Sequence, residues 1–317
     1  KEEQFYFPVF LDWRGRVYPL ASNLEPQGVD LSKGLLEFAN GKRIDSTEAI
    51  EWLAIHGSNA FGIDKVSYAD RIAWVYKHEE QILSSARNPL DDTWWTQADD
   101  HGWTFLAFCF EWLNLKEKGS MAVTHLPIAV DGSNNGLQIL SLLGRDKVIA
   151  VATNVTPSTT GIPEDIYGDV SKVMLKQITA DSTIDLNDYQ GRLSNKVIKS
   201  RFKFCTKKER ASLLDGDDLE YYEVLGAVVT RLKAMASYWK KFGIDRKTTK
   251  RSVMTLAYGV TQFTTSDHLE DWHTETLVTQ PDGMALDFFE KQAYCRYLNV
   301  ILWDAMDLTI KQPRAIM

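Results

Sequence analysis

From Arg246 to Ser266 the chain carries four cations and not one acid, although its net charge is −7. The run Arg246-Lys247-Thr248-Thr249-Lys250-Arg251-Ser252-Val253-Met254-Thr255-Leu256-Ala257-Tyr258-Gly259 has helical spacing. At about 100° per residue, Arg246, Lys250, Met254 and Tyr258 climb one face, with Lys247 and Arg251 on the same side. Val253, Leu256 and Val260 fall on the adjoining arc. Such a helix must rest against a core on one side while it presents cations on the other. Asp245 is placed to cap its start and Gly259 to stop it. A row of cations without counter-charges suits a polyanion such as a triphosphate. A solvated basic face is the alternative, but such faces ordinarily mix signs for i,i+4 pairing.

A chain of 317 residues, 44% hydrophobic and 25% charged, has the composition of a soluble globular protein. It is long enough for one large domain or two subdomains. No apolar run reaches the length of a membrane span and no signal peptide opens the chain, so no membrane partner is expected. It begins on Lys1 rather than Met, which suggests a piece of something longer. Cys109, Cys205 and Cys295 are widely spaced and odd in number, which fits a reducing compartment without a disulfide framework. The six histidines lack zinc-type pairing.

Along the chain, residues 4–44 read as strand and turn, punctuated by Gly15, Pro19, Pro26 and Gly28. Helices follow: one from Glu48 to Gly57 capped by Ser46 or Thr47, one over Tyr68–Ala86 broken by Asn88-Pro89, and one around Trp103–Leu115. A short apolar strand, Leu126–Val130, is expected to be buried and to end on Asp131-Gly132-Ser133. Helical pattern returns at Gly136–Leu143, Pro163–Thr179, Leu219–Phe242, the basic helix, and Gly283–Ile310. The segment 181–218 is polar and weakly periodic. Its stretch Lys196–Arg210 holds seven cations against one acid, with Phe202 and Phe204 between them. That composition fits either a nucleic-acid-contacting loop or a solvated one. Strands, helices, one strand, then helices is the order of an α+β fold rather than of repeating βαβ units.

Asp131 at the end of an apolar strand, with the Gly132 carbonyl beside it, offers hard oxygen ligands of the kind Mg²⁺ takes; Asp-Gly is equally a common turn. A carboxylate that holds metal and a helix of phosphate-facing cations together suit metal-assisted phosphoryl or nucleotidyl transfer. No GxxxxGK[ST] loop is present to cradle phosphates in another way.

Several separated blocks resemble the single-subunit DNA-directed RNA polymerases of bacteriophages and mitochondria. These are Asp12-Trp13-Arg14-Gly15-Arg16, Pro26-Gln27-Gly28, Lys33-Gly34-Leu35-Leu36, Ile55-His56-Gly57-Ser58-Asn59 and Gly62-Ile63-Asp64-Lys65-Val66. They continue through Asn88-Pro89-Leu90, Thr93-Trp94-Trp95, Phe105-Leu106-Ala107-Phe108-Cys109, Asp131-Gly132-Ser133 with Gly136 and Gln138 (motif A), Asp165-Ile166-Tyr167-Gly168, and Lys250 to Gly259 (motif B).

The resemblance implies a right-hand polymerase architecture, incomplete here, with mostly helical fingers and a small antiparallel palm sheet. Residues 1–45 would be the first part of the palm and 46–120 a helical region associated with palm and fingers. Residues 121–150 would carry palm motif A. Fingers would occupy 151–317, with the motif B helix at about 245–259 and a polar insertion at about 181–218. Asp131 would hold catalytic Mg²⁺, with the Gly132 carbonyl. Arg246 and Lys250 would bind the triphosphate, helped by Lys65 and supported by Arg251. Tyr258 would stack near the incoming base pair and sense its sugar, with Gly259 letting the template approach and Tyr167 near the pocket. Arg14 and Arg16 would contact the nucleic acid. Partners would be a DNA template, NTPs and the RNA product. Related DNA polymerases carry Glu where Gly136 stands and an aromatic where Met254 stands. Both choices here leave room for a ribose 2′-hydroxyl and favour RNA synthesis.

The second catalytic aspartate of the family lies in a His-Asp dipeptide, and no such pair occurs in this chain. The chain would therefore be inactive alone, as a fragment or as one subunit beside a second polypeptide that carries the remaining segments. A phage origin, and with it the cytoplasm of an infected bacterium, is the expected setting.

Overall fold

The computed structural model of the protein describes residues 4–13, 15–98, 100–129, 132–158, 161–189, 191–280 and 283–311. It contains two compact units, Lys1–Asp131 with Ser158–Pro163, and Gly132–Pro157 with Glu164–Met317. Helices dominate both, and each of the two small sheets is an antiparallel pair, as an α+β fold requires.

The first unit opens with a hairpin, β1 (Val9–Leu11) and β2 (Val17–Pro19), in the register Val9↔Pro19, Phe10↔Tyr18 and Leu11↔Val17. A short helix, α1 (Asp30–Leu35), follows where strand and turn were expected. Strand β3 (Lys42–Arg43) leads to α2 (Thr47–Ala60), capped by the Ser46 hydroxyl, one of the two caps expected, while Thr47 is the first helical residue. The expected single helix over Tyr68–Ala86 is two, α3 (Tyr68–Lys77) and α4 (Glu79–Arg87), joined at His78. The long α5 (Gly102–Lys118) is the spine of this unit, and Phe105, Phe108, Cys109 and Trp112 along it are fully buried. Its first turn is capped from far away in sequence: the Asp30 carboxylate accepts the Trp103 N–H at 2.7 Å and the Thr104 hydroxyl at 2.5 Å. Gly57 of α2 meets this spine where no side chain fits, since a Cβ there would stand 2.3 Å from the Phe108 ring.

The expected buried strand at Leu126–Val130 is not found in its described part. Residues 126–129 form no ladder and Ile128 is 45% exposed. The strand is instead β4 (Val123–Thr124), paired with β3. An extended segment becomes a strand only when another backbone takes up its hydrogen-bonding groups, and Pro127 has no N–H to offer.

The second unit forms helices and no strand among its described residues. It comprises α6 (Asn135–Leu143), α7 (Lys147–Ala152), α8 (Ile166–Ser182), α9 (Asn195–Arg201), α10 (Lys207–Asp215), α11 (Asp218–Phe242), α12 (Arg246–Leu256), α13 (Gln262–Leu277) and α14 (Phe288–Thr309). Helices α8, α11 and α14 enclose the core of this unit, in which Val170, Met174, Tyr221, Leu225, Trp239 and Leu302 are buried. The 181–218 segment contributes α9 and α10, with Phe202 and Phe204 inside the same core at 0% and 5% exposure. These two rings are therefore not available to stack on nucleic acid. Neighbouring cations pointed to a surface, but burial of an aromatic ring outweighs the polarity of its neighbours. Helix α13 has no counterpart among the helices expected from the sequence.

Candidate functional site

The basic run forms α12 as its pattern requires. Asp245 caps it in a reciprocal box, its carboxylate accepting the Thr248 N–H at 3.1 Å while the Thr248 hydroxyl accepts the Asp245 N–H at 3.1 Å. Thr249, Ser252, Val253 and Leu256 fall at i, i+3, i+4 and i+7 and are buried, which leaves Lys247, Lys250, Arg251 and Met254 on the exposed face. The buried face is more polar than expected. Thr249 is fully buried and donates to the Tyr167 carbonyl at 2.8 Å, so α12 is fastened to α8 by a hydrogen bond as well as by packing. Tyr258 is not on the helix. It stands in the closing turn, where its N–H bonds to the Thr255 carbonyl and Gly259 takes φ +79°, and its ring is 66% exposed.

The absence of acids within the basic run does not leave all its cations unpaired. Arg246 donates its Nε to the Asp165 carboxylate at 3.0 Å and lies over the Tyr167 ring, 4.9 Å from its centroid. Arg251 pairs with Asp271 on α13 at 2.7 Å, with both side chains more than half exposed. Neither partner is adjacent in sequence; both arrive through the fold. Lys250 shows no acidic partner among the described residues. Tyr167 itself is 6% exposed, so its ring serves as the floor beneath Arg246 while it packs in the core.

Gly136, in the first turn of α6, touches the closing turn of α12 directly. A Cβ there would lie 2.4 Å from the Ala257 Cβ and 3.8 Å from the Tyr258 ring. Glycine at this position is thus required by helix contact, independently of any sugar. The Gly132 carbonyl accepts the Asn134 N–H at 2.9 Å. Asp131 and Arg14 lie outside the described residues.

Lys65 belongs to the first unit and is ion-paired with Asp64 at 2.6 Å, about half exposed. Its loop is held by the buried Arg71, which donates to the Val66 and Asp64 carbonyls at 3.1 and 2.7 Å and to Asn59 Oδ1 at 2.9 Å. Arg16 sits exposed at the end of the β1–β2 turn, its N–H bonded to the Asp12 carboxylate at 2.9 Å. Among the described residues no three His, Cys, Asp or Glu side chains cluster as a metal site, and no helix is long and apolar enough to cross a membrane.

Residues 43–317 match the family described as DNA-dependent RNA polymerase. The chain belongs to that family. It is 36% identical over 309 residues to the DNA-directed RNA polymerase of Enterobacteria phage T3, an alignment covering 98% of this chain and 32% of that relative. It is 37% identical over 309 residues to the T7 RNA polymerase of Escherichia phage T7, covering 96% and 31%. It is 32% identical over 323 residues to a mitochondrial DNA-directed RNA polymerase of Arabidopsis thaliana, covering 99% and 28%. The chain spans about a third of the length of these polymerases, and phage and mitochondrial relatives both occur. Against the family blocks, Asp165 emerges as the residue whose part was not seen in sequence. It stood inside a matched block, but nothing in the spacing tied it to Arg246, 81 residues later.

Proposed function

We propose that this chain is the motif A and motif B portion of a DNA-templated RNA polymerase, contributing palm (about 1–45 and 121–150) and fingers (about 151–317). The observation that carries this reading is the socket at the start of α12. There Asp165 and Tyr167 hold the Arg246 guanidinium while Lys250 follows one turn later on the same face. A guanidinium fixed in direction and an ammonium 4 residues on make a geometry for a triphosphate rather than a diffuse basic patch.

In the proposed reaction the RNA 3′-hydroxyl attacks the nucleotide α-phosphate in line, the phosphodiester bond forms, and pyrophosphate leaves with Arg246 and Lys250 on its oxygens. Tyr258 and Gly259 face the new base pair, and Lys65 and Arg251 reinforce the field. Arg14 and Arg16 contact the nucleic acid. Aspartate carboxylate and backbone carbonyl are hard oxygens, so Asp131 and Gly132 fit Mg²⁺, which would supply charge neutralisation and an activated hydroxyl. Template DNA, NTPs and RNA are the proposed partners. With no His-Asp pair in its 317 residues, the chain alone is expected not to extend RNA.

The test is primer extension with the chain joined to, or mixed with, the remaining polymerase segments. Activity should appear only in the complete assembly, favour rNTPs over dNTPs, and vanish with Asp131→Ala while template binding persists. Preference for dNTPs would make it a DNA polymerase portion. Tolerance of Asp131→Ala would instead assign it a non-catalytic nucleic-acid-binding role.

A further inference from the structure

Asn134 and Asn154 both adopt left-handed backbones, with φ of +68° and +59°. Asparagine enters this region more readily than other side-chain-bearing residues, yet it still does so at a cost that its bonds must offset. Asn134 is 6% exposed and uses both ends of its amide. Its Oδ1 caps α6 by accepting the Leu137 N–H at 3.2 Å, and its Nδ2 donates to the Val253 carbonyl in the last turn of α12 at 3.3 Å. One side chain thus caps the start of one helix and the end of another. The close approach of Gly136 to Ala257 lies one turn further along the same contact.

Asn154 ties the other side. Its Nδ2 donates to the Ser133 hydroxyl at 2.9 Å and to the Glu164 carbonyl at 2.8 Å, and its Oδ1 accepts the Glu164 N–H at 2.8 Å. Glu164 precedes Asp165, the residue that holds Arg246. The loop 132–134 is therefore bonded towards the end of α12 that leads into the Tyr258 turn and towards the segment that fixes the end carrying Arg246.

We propose that Asn134 and Asn154 are positioning residues. Together they brace the loop after Asp131 against both ends of α12, and so set where the sugar and the phosphates of a nucleotide are met relative to each other. The brace stands on the geometry above; its consequence for nucleotides rests on the polymerase reading.

Asn134→Asp and Asn154→Asp test it, because each keeps an accepting oxygen and tolerates the left-handed backbone while replacing the amide donors by a negatively charged oxygen that cannot donate. Hydrogen exchange on the 317-residue chain should show amides 257–259 exchanging about tenfold faster in Asn134→Asp, with 139–143 unchanged. Asn154→Asp should speed exchange at 164–165 by about the same factor and leave 257–259 unchanged. Asn134→Gly, which accepts the backbone without strain, replaces Asn134→Asp if that variant does not fold. In the completed polymerase, Asn134→Asp should shift the ratio of rNTP to dNTP use several-fold. Asn154→Asp should raise the NTP KM with that ratio unchanged. Unaltered exchange overturns the brace whatever the enzyme does. Altered exchange with unchanged selectivity and KM overturns the positioning role. An assembly that polymerises nothing rejects the polymerase reading and its nucleotide consequence, while exchange still decides the brace.

Discussion

Arg246 gives Asp165 only its Nε, at 3.0 Å, and among the described residues its two terminal nitrogens donate to no protein acceptor. The carboxylate therefore aims the guanidinium without occupying the edge that a phosphate would need.

Asp165→Ala should cost orientation more than it gains in net positive charge. A partly exposed ion pair is worth about 1 kcal/mol, so the KM of the completed polymerase for NTP should rise about fivefold. The rise should be the same for all four NTPs, because the triphosphate is common to them. Steady-state kinetics with each NTP in turn measures this, and a base-dependent change would contradict it.

Gly136→Ala should destabilise the chain by about 1–3 kcal/mol, because the new methyl would be forced into Ala257. Urea unfolding should show the loss, and adding Ala257→Gly should restore part of it. Gly136→Glu is consequently expected to lower stability as well as rNTP use, so the two effects need separate measurement.

Thr249→Val removes the hydroxyl that serves the Tyr167 carbonyl inside the core. That carbonyl lies within α8 and keeps its helical partner, so what is lost is one net hydrogen bond, about 0.5–1.5 kcal/mol. Valine keeps the shape, so the midpoint of urea unfolding should fall with little change in slope.

Burial pushes the His56 pKa down from 6.5 to about 4, and its Nε2 has no hydrogen-bond partner among the described residues. Between those values the unfolded chain binds a proton that the folded chain refuses. Stability should thus hold above pH 6.5 and decline as pH falls towards 4, by up to roughly 3 kcal/mol from this residue. His268 and His273, also lowered mainly by burial, add to the decline with the same sign. His56→Gln should remove up to one proton from the pH dependence of unfolding between pH 4 and 6.5.

The three cysteines are buried, and burial raises every thiol, Cys205 to about 11 and Cys295 to about 12, with Cys109 raised most. A thiol-exchange reagent at pH 8 should label the folded chain slowly and all three thiols promptly in denaturant.

The helices could be read where a local pattern carries its own physical reason. Ser46 and Asp245 cap where a short polar side chain precedes a helical run, and Val253 and Leu256 face inward because 3.6-residue periodicity leaves them no other side. Glycine at 136 was visible too, but its reason was not. Sequence spoke of space for a sugar, whereas the fold places Ala257 against it.

What sequence alone determined was the family and the basic helix with its row of cations, since residue type and local spacing are written in the chain. Only tertiary structure decided which cations keep partners, because Asp165 and Asp271 reach Arg246 and Arg251 through packing of α8 and α13 rather than through spacing. It likewise decided that Phe202 and Phe204 are core and that residues 126–129 lack a ladder. Burial and strand pairing depend on which distant segment arrives, and no local pattern fixes that.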